Sequence, residues 1–348
     1  MKPVVATRVA ALVAALLATS SLGCRTPAAT TADAAAVDAA ALDARTMRGC
    51  TTNDPRMVDP EVFVGPTGYG ARFRNLIDGA TTRIDLQMYL FTVSDLSTAL
   101  INAKNRGVAV RVLLDPDHAG NVSTKAKLLA GGVEVKGAPA GFEFAHAKYM
   151  IVDGNKAVVS SGNFNFGALD SERNYGFITR DTDDISDLNT IFDADWNSTT
   201  FAQTCTRLLV SPYNSRSRLL AHINGAMQQL DIEVFYMTDT DIVDAVKRAK
   251  VRGVAVRVIL APASNLAGNA TTITALTNLG FVVKVATSFD LHAKLIIADG
   301  VAFVGSENMS FTSLGRNREV GALIFEPSQA AIVSAQFEQD WASEPLAP

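Results

Sequence analysis

The sequence predicts an α/β fold made of two duplicated halves, each an α/β/α sandwich with a sheet between helices. The first observation is that residues 77–114 and 223–260 align without a gap at an offset of 146. The second is that β-forming and helix-forming segments alternate in each half, which favours a sheet covered on both faces. The third is the near-continuous apolar segment Val108–Leu114, which is typical of a strand buried on both faces.

The duplication is domain-sized and much longer than a solenoid repeat. Residues 106–112 recur as residues 252–258 with the same letters, RGVAVRV. Near the end of each half, Phe192 and Trp196 correspond to Phe337 and Trp341 at an offset of 145. We therefore expect one half over residues 59–205 and the other over residues 206–348.

The expected elements of the first half follow from its patterning. Strands are rich in β-branched and aromatic residues, while Ser94 can cap a helix that Gly107 closes. The predicted order is strand Ile84–Phe91, helix Ser94–Arg106, strand Val108–Leu114, helix Lys125–Ala130, strand Val133–Lys136, a strand from about His146, strand Ala157–Ser160, strand Asn174–Thr179 and helix Asp183–Asp195. The second half repeats this order.

One short motif occurs once in each half, and a turn of small and polar residues follows each copy. The motif is a histidine, any residue, a lysine, four more residues and an aspartate. The copies are His146, Lys148 and Asp153, and His292, Lys294 and Asp299; the turns are Ser160-Ser161-Gly162-Asn163 and Gly305-Ser306-Glu307-Asn308. A single copy would be weak evidence of function, whereas two at matching positions of a duplication are a strong signal.

These residue types suit the cleavage of a phosphodiester. A neutral imidazole can attack phosphorus and form a covalent intermediate, and a protonated one can donate to the leaving oxygen. Lysine supplies positive charge to the phosphate, and asparagine supplies further hydrogen-bond donors. Because residues i and i+2 of a strand share a face, His146 and Lys148 should project together, as should His292 and Lys294.

On these motifs the chain resembles the phospholipase D superfamily, over about residues 60–345. The resemblance implies two halves related by a pseudo-twofold axis, with the active site between them. It also implies a monomer, since relatives with a single motif form homodimers. By resemblance His146 is the nucleophile and His292 is the acid and then the base, although the residues alone leave that order open.

The resemblance implies a full set of site residues. The motif contributes His146, Lys148, Asp153, His292, Lys294 and Asp299 to the catalytic set, with the two aspartates expected to hold turns before Gly154 and Gly300. The phosphate would be bound by Lys148, Asn163, Lys294 and Asn308. Glu319 fits the acidic residue that orients a histidine of the opposite half, and in the first half Glu172 lies two residues before the aligned Asn174. That departure, and Ser160 where glycine is usual, weaken the first-half match.

No cofactor and no metal are expected. A protonated lysine is not a metal ligand, and no group of cysteines and histidines has the spacing of a zinc site.

The N-terminus predicts export. Residues 1–23 have a basic start and an apolar run too short to span a bilayer, as in a secretory signal. Cys24 ends the segment Ser21-Leu22-Gly23-Cys24, which resembles a bacterial lipobox. Residues 24–58 would then be a lipidated or flexible linker. The alternative is cleavage at a nearby small residue and free secretion. The protein would then be a membrane-anchored lipoprotein, or periplasmic or secreted. In an oxidising compartment Cys50 and Cys205 could form a disulfide, against two separate thiols.

The function that fits best is a phospholipase D-type hydrolase acting on a phospholipid or at a membrane surface. The alternative is an exported nuclease that cleaves DNA or RNA with the same residues. Nucleic-acid binding usually leaves a basic footprint, whereas this chain has a net charge of −4. A cardiolipin synthase-type transferase and a non-catalytic binding module are further alternatives.

Overall fold

The computed structural model describes residue 53, residues 55–201 and residues 205–347. The predicted signal segment, Cys24 and Cys50 lie outside these residues, so export, lipidation and the Cys50–Cys205 pairing stay predictions. Cys205 itself is disulfide-bonded. In the described part of the chain, none of the helices is both long enough and apolar enough to cross a membrane.

The elements of the first half begin with an edge strand that precedes the first predicted strand. In chain order they are β1 (Glu61–Val64), α1 (Tyr69–Asp78), β2 (Arg83–Met88), α2 (Ser94–Asn105), β3 (Ala109–Leu114), a 3-10 turn (Ala119–Asn121), α3 (Val122–Ala130), β4 (Glu134–Gly137), β5 (Tyr149–Val152), β6 (Lys156–Ser160), α4 (Phe166–Asp170), β7 (Glu172–Arg173), β8 (Tyr175–Thr179) and α5 (Thr182–Trp196).

The second half follows the same order, except for an extra short strand before the motif strand and no separate counterpart of β7 or of the 3-10 turn among the described residues. Its elements are β9 (Leu208–Ser211), α6 (Ser215–Gly225), β10 (Gln229–Val234), α7 (Thr240–Val251), β11 (Ala255–Leu260), α8 (Gly268–Thr277), β12 (Val282–Val285), β13 (Asp290–Leu291), β14 (Lys294–Ala298), β15 (Val301–Gly305), α9 (Phe311–Gly315), β16 (Glu319–Ile324) and α10 (Pro327–Ser343).

Each half contains a seven-stranded mixed sheet, and the two sheets have equivalent strand orders. They are β1-β8-β6-β5-β2-β3-β4 and β9-β16-β15-β14-β10-β11-β12. Strands β2, β3 and β4 are parallel, as are β10, β11 and β12, while the remaining neighbours are antiparallel. This confirms the predicted α/β fold with two duplicated halves.

Three apolar cores hold these layers together. One lies between each sheet and its own helices, around Phe73 in the first half and Val246 in the second. The third contains residues of both sheets together with the last helix of each half, including Phe192 and Phe337. Burial of both faces of each sheet explains the near-continuous apolar strands.

Two buried ion pairs cross between the halves at equivalent positions. Arg318 reaches Asp195 at 2.9 Å, and Arg173 reaches Asp340 at 2.7 Å. The reciprocity of these pairs is what a pseudo-twofold relation between the halves requires.

Two local predictions were inaccurate. Ser94 is the first residue of α2 and makes no capping hydrogen bond; the N-cap position is Val93. Instead the Ser94 hydroxyl accepts from the Lys127 ammonium at 2.8 Å, so a tertiary contact takes the place of the cap. The motif strand β5 begins at Tyr149 rather than near His146, because the segment before it pairs with the other half.

Candidate active site

The motif histidines and lysines alternate with core residues along an extended segment. Ala145 is buried, and Ala147 and Tyr149 lie in the core between the halves. His146 and Lys148 therefore project from the opposite face, as the sequence predicts. In the second half Leu291, Ala293 and Leu295 occupy that core in the same way, which turns His292 and Lys294 to the equivalent side.

Each motif is fixed by the backbone of the other half. The N–H of His146 donates to the carbonyl of Arg318 at 2.9 Å, and the N–H of His292 donates to the carbonyl of Arg173 at 3.1 Å. These contacts belong to two short parallel pairings, Ala145 with Arg318 and Leu291 with Arg173. Each half thus supplies a backbone carbonyl that positions the motif histidine of the other half.

Glu319 orients the His146 ring. Its Oε2 lies 2.8 Å from His146 Nδ1. Its other oxygen accepts from the Ser313 hydroxyl at 2.6 Å and from Asn317 Nδ2 at 3.0 Å. Burial alone would raise the pKa of Glu319, but the adjacent His146 and Lys148 lower it overall, so the carboxylate is charged. The contact on Nδ1 leaves Nε2 of His146 for chemistry.

The His292 ring has a neutral partner instead. Its Nδ1 lies 3.1 Å from Asn174 Oδ1. Asn174 is fixed by the Ser161 hydroxyl, which donates to Oδ1 at 2.8 Å, and by Glu172 Oε2, which accepts from Nδ2 at 3.2 Å. Glu172 itself is 3.6 Å from His292 Nδ1. The predicted orienting carboxylate Glu172 therefore lies behind Asn174, the residue that departs from the family pattern and that contacts the ring itself.

The two lysines are fully buried beneath aromatic rings. The Lys148 ammonium donates to the carbonyl of His146, and that of Lys294 donates to the carbonyl of His292 at 2.6 Å. The ammonium of Lys148 lies 5.1 Å from the Tyr89 ring centre, and that of Lys294 lies 5.2 Å from the Phe235 ring centre. The same rings lie 4.6 Å from His146 and 4.9 Å from His292. Nothing in the motif pointed to these aromatic partners.

Burial and like charge lower the basicity of all four motif side chains. Burial lowers the pKa of His146 to about 4 despite the opposing effect of Glu319, and it lowers that of Lys148 to about 7. The pKa values of His292 and Lys294 also lie well below their usual ranges, through burial first and neighbouring cations second. His146 and Lys148 both act on His292, which shows that the two motifs share one electrostatic environment.

The predicted phosphate-binding asparagines lie at equivalent positions, Asn163 buried and Asn308 half-buried. Among the described residues, neither Asn163 Oδ1 nor Asn308 Oδ1 has a hydrogen-bond partner. The backbone N–H of Asn308 donates to the Ser313 hydroxyl at 2.9 Å, which links this turn to the residues around Glu319. Ser160, where glycine was expected, is tolerated because its hydroxyl donates to the carbonyl of Gly162 at 3.3 Å.

The two motif aspartates do not reach the catalytic groups. Asp153 lies seven residues along a largely extended segment from His146, roughly 20 Å away. It has a φ of 52° and accepts from the backbone N–H of Thr82 at 2.7 Å and of Arg83 at 3.0 Å. Asp299, with a φ of 47°, accepts from the N–H groups of Met227 and Gln229. Both aspartates therefore hold turns, as their positions before Gly154 and Gly300 suggested.

The comparisons with known proteins agree with the duplication. The family model described as "Cardiolipin synthase, PLD-like domain" matches twice, over residues 73–196 and 219–341. A cardiolipin synthase of Listeria monocytogenes is 26% identical over 315 residues, covering 76% of this chain and 65% of the relative. A phospholipase D of Rickettsia felis is 36% identical over 118 residues, covering 32% of this chain and 55% of the relative. The chain thus spans less than two thirds of either relative.

Solved structures share the fold at low sequence identity. The phosphatidylserine synthase of Haemophilus influenzae has a TM-score of 0.65 at 14% identity and covers 87% of this chain and 91% of its own. The polyphosphate kinase of Porphyromonas gingivalis has a TM-score of 0.66 at 17% identity and covers 81% of this chain and 47% of its own. With both halves matched by one family model and both motifs meeting in one site, the chain belongs to the phospholipase D superfamily.

Proposed function

We propose that the protein is a phospholipase D-type phosphodiesterase that hydrolyses the head-group bond of a phospholipid through a phosphohistidine intermediate. One observation carries the proposal. Two histidines from different halves lie in a common electrostatic environment, each with its Nδ1 held by the opposite half and a buried lysine beside it. Nε2 of each ring is the atom left for chemistry.

In the first step, Nε2 of His146 attacks phosphorus and the bond to the head-group oxygen breaks. Protonated His292 gives its proton to that oxygen, so the alcohol leaves neutral. In the second step, His292 takes a proton from water as the water attacks phosphorus, and the bond between phosphorus and His146 breaks. In-line displacement needs attack and protonation on opposite sides of phosphorus, and one histidine from each half would supply each.

The unequal partners of the rings support this division of roles. Glu319 places a full negative charge 2.8 Å from His146 Nδ1, and that charge stabilises the cationic ring formed when Nε2 bonds to phosphorus. Asn174 offers His292 only an amide dipole. The protonated form of His292 is therefore less stabilised than a protonated ring beside a carboxylate would be, and it donates its proton more readily.

Phosphate recognition is assigned to Lys148, Lys294, Asn163 and Asn308. The two ammonium groups lie fully buried beside the histidines, and burial lowers the pKa of both. A bound phosphate anion would raise both pKa values again and so keep the lysines protonated. The asparagine side chains supply additional donors for the non-bridging oxygens. No step of this mechanism uses a cofactor.

A lipid substrate is favoured over a nucleic acid by two considerations. The curated relatives described above are named phospholipase D and cardiolipin synthase. Several of the basic residues that could bind a nucleic acid are also committed to helix ends: Lys250 donates to the carbonyl of Gly280, and Arg252 to those of Ile223 and Ala226. The nuclease remains the alternative outcome of the test.

The test is a substrate panel of phosphatidylcholine, cardiolipin, single-stranded DNA and RNA, run with the wild type and His146→Ala. We expect release of a head-group alcohol and formation of phosphatidic acid, with little nucleic-acid cleavage and no activity in the variant. More efficient cleavage of DNA or RNA than of any lipid would establish the nuclease instead.

We also propose that the enzyme works as an exported monomer, either lipid-anchored at Cys24 or released. The proposal rests on the basic and apolar start of residues 1–23 and on the presence of both motifs in one chain. Fractionation of the native host, with metabolic labelling by a palmitate analogue and a Cys24→Ser control, tests the anchor. Sedimentation of the purified protein tests the monomer.

A further inference from the structure

We infer that the enzyme selects a phospholipid whose head group carries a positive charge, and that Asp290 is the residue that selects it. The inference rests on the proposed function and adds the class of head group. It comes from a difference between the two sides of the site at positions that the pseudo-twofold relation makes equivalent.

The equivalent positions are Phe144 and Asp290, each two residues before its motif histidine. Ala145 pairs with Arg318 of the opposite half, and Leu291 pairs with Arg173 in the same manner. Ala145 and Leu291 are both buried, so Phe144 and Asp290 project on the same side as the histidines. Each residue therefore forms part of the rim of the site next to its own histidine.

The exposed rim beside His146 is aromatic. Phe144 is 37% exposed, and its ring centre lies 5.9 Å from that of Tyr89, which contacts His146. Glu143 and Arg316 beside it form an ion pair at 3.2 Å. The Asp115 carboxylate below it is buried and accepts from the N–H of Ala145 at 2.8 Å, so the exposed surface carries no unpaired charge from these groups. Such a surface suits the glycerol backbone and the first acyl carbons of a lipid.

The rim beside His292 is polar and negatively charged. Asp290 is exposed, and its carboxylate accepts from the Ser171 hydroxyl at 3.1 Å. Within the described residues, no lysine or arginine lies within ion-pair distance of Asp290. Arg173 on the paired strand is committed to Asp340, at 2.7 and 3.0 Å. Glu172, the strand partner of Asp290, adds a second carboxylate that is 19% exposed.

There is room for a small head group at this rim. A cleft of about 530 Å³ lies beside Asp290 and is lined by hydroxyl and amide side chains, among them Ser171, Ser264, Asn265 and Ser288. In the proposed mechanism His292 protonates the leaving oxygen, so the departing alcohol lies on this side of the site. An anionic, hydrogen-bonding cleft there favours an amino alcohol or its quaternary ammonium form.

The experiment compares phosphatidylethanolamine and phosphatidylglycerol with identical acyl chains, each diluted to the same mole fraction in neutral detergent micelles. The variants are Asp290→Asn, Phe144→Ala and the charge-matched control Asp95→Asn, an exposed acid in the first turn of α2 on the other half. The readout is kcat/KM for each lipid and the ratio of the two values.

We expect the wild type to prefer phosphatidylethanolamine. Asp290→Asn should reduce kcat/KM for that lipid about fivefold, the scale of one partly exposed charge pair, and should leave phosphatidylglycerol unchanged or faster. Phe144→Ala should slow both lipids equally, and Asp95→Asn should leave the ratio unchanged. The effect of Asp290→Asn should fall as salt is raised from 0.05 to 0.5 M, in proportion to the shortening of the Debye length from roughly 14 to 4 Å.

A wild type that prefers phosphatidylglycerol would overturn the inference. Equal effects of Asp290→Asn on kcat/KM for both lipids would also overturn it. So would a change of the kcat/KM ratio by Asp95→Asn as large as that by Asp290→Asn, because either result would make general surface charge responsible. Failure of the wild type to cleave any phospholipid would instead remove the proposed function, and the inference with it.

Discussion

Nδ1 of His146 lies 2.8 Å from Oε2 of Glu319, although the two residues belong to different halves of the molecule. The carboxylate holds the ring in one tautomer and leaves Nε2 as the reactive nitrogen. A neutral isostere keeps the shape but removes the charge that stabilises the cationic intermediate. Glu319→Gln should therefore lower kcat by about 100- to 1000-fold, the scale for removing one preorganised electrostatic contact.

The control is Glu172→Gln, which removes a carboxylate near the other histidine. Glu172 lies 3.6 Å from His292 and reaches it mainly through Asn174, so the loss should stay below about tenfold. Steady-state kinetics on one lipid, with circular dichroism to verify folding, measures both variants. Equal losses would show that the distinction between the two rings has no kinetic meaning.

The neutral partner of His292 predicts a change in pH dependence. Burial, Lys294 and Lys148 lower the pKa of His292, and Asn174 supplies no charge to oppose them. Replacing the amide by a carboxylate adds an anion at about 3 Å and raises the pKa of His292, so that this ring stays protonated to higher pH. The alkaline limb of kcat against pH should move upward by about one unit.

Because Asn174 donates to Glu172 at 3.2 Å, Asn174→Asp is made together with Glu172→Gln, which supplies the lost donor. The single variant Glu172→Gln is the reference. A downward shift of the alkaline limb, or a shift of the acid limb alone, would contradict the role of His292 as the acid.

Anion binding should take up protons from solution. Burial lowers the pKa of Lys148 to about 7 and that of Lys294 well below its usual range, so part of this lysine pair is neutral near pH 7.5 in the empty site. A bound anion raises both pKa values. Calorimetry with inorganic phosphate in two buffers of different ionisation enthalpy should show uptake of about one proton, and Lys294→Met should reduce it. Binding without proton exchange would mean that the lysines are already charged.

Much of the fold follows from the sequence because the signals are local and repeated. The apolar strand Val108–Leu114 and its copy fix the buried centre of each sheet, and the offset of 146 fixes the number of halves. The edge strand Glu61–Val64 was not predicted, since four residues that pair with a single neighbour carry little pattern. Short pairings such as Asp290 with Glu172 depend on the other half and have no local signal.

In the site, too, the residues of the local motif could be predicted, whereas the residues brought in by tertiary contacts could not. His146, Lys148, His292 and Lys294 could be named because the motif is duplicated. Tyr89 and Phe235, which cover the lysines, directly follow β2 and β10 and share the offset of 146 with the motifs, but nothing local in the sequence marks them as partners of the lysines. Asn174 was visible only as a missing carboxylate, and its contact with His292 depends on how the halves meet.

The motif aspartates should affect stability rather than chemistry. Burial would raise the pKa of Asp153, but hydrogen bonds from the N–H groups of Thr82, Arg83 and Thr81 lower it overall. Asparagine tolerates the positive φ but accepts fewer hydrogen bonds than a carboxylate. Asp153→Asn should therefore lower the free energy of unfolding at pH 7 by about 1–2 kcal/mol, the scale for the loss of a helix N-cap. Asp299→Asn should behave alike, with kcat unchanged for both.

The sign of the pH effect is fixed by the lowered pKa. The stabilisation by Asp153 is present above the unfolded pKa of about 3.9 and is lost as pH falls through the lower folded value. Urea unfolding of wild type and Asp153→Asn should therefore differ at pH 7, and the difference should shrink steadily as the pH falls below about 3.9 toward the lower folded value. A large loss of kcat with unchanged stability would return the aspartates to the catalytic set.

The two motif histidines should be equally necessary and should fail in different ways. One imidazole cannot attack phosphorus and protonate the opposite oxygen at once, so His146→Ala and His292→Ala should each lose at least about 1000-fold in kcat. The double variant should be little worse than either, since the residues act as a unit. Kinetics of the three variants on one lipid measures this, with Asp95→Asn as a surface control.

The kind of failure separates the roles. His292→Ala keeps the nucleophile and the Glu319 contact but lacks the acid. With an activated substrate whose leaving group needs no proton, it should still attack and should accumulate a phosphoryl adduct on His146, because no base activates water for the second step. His146→Ala should form no adduct. Mass spectrometry of the two histidine peptides after quenching decides: an adduct on His292 would reverse the assignment, and full activity in either single variant would refute a site shared between the halves.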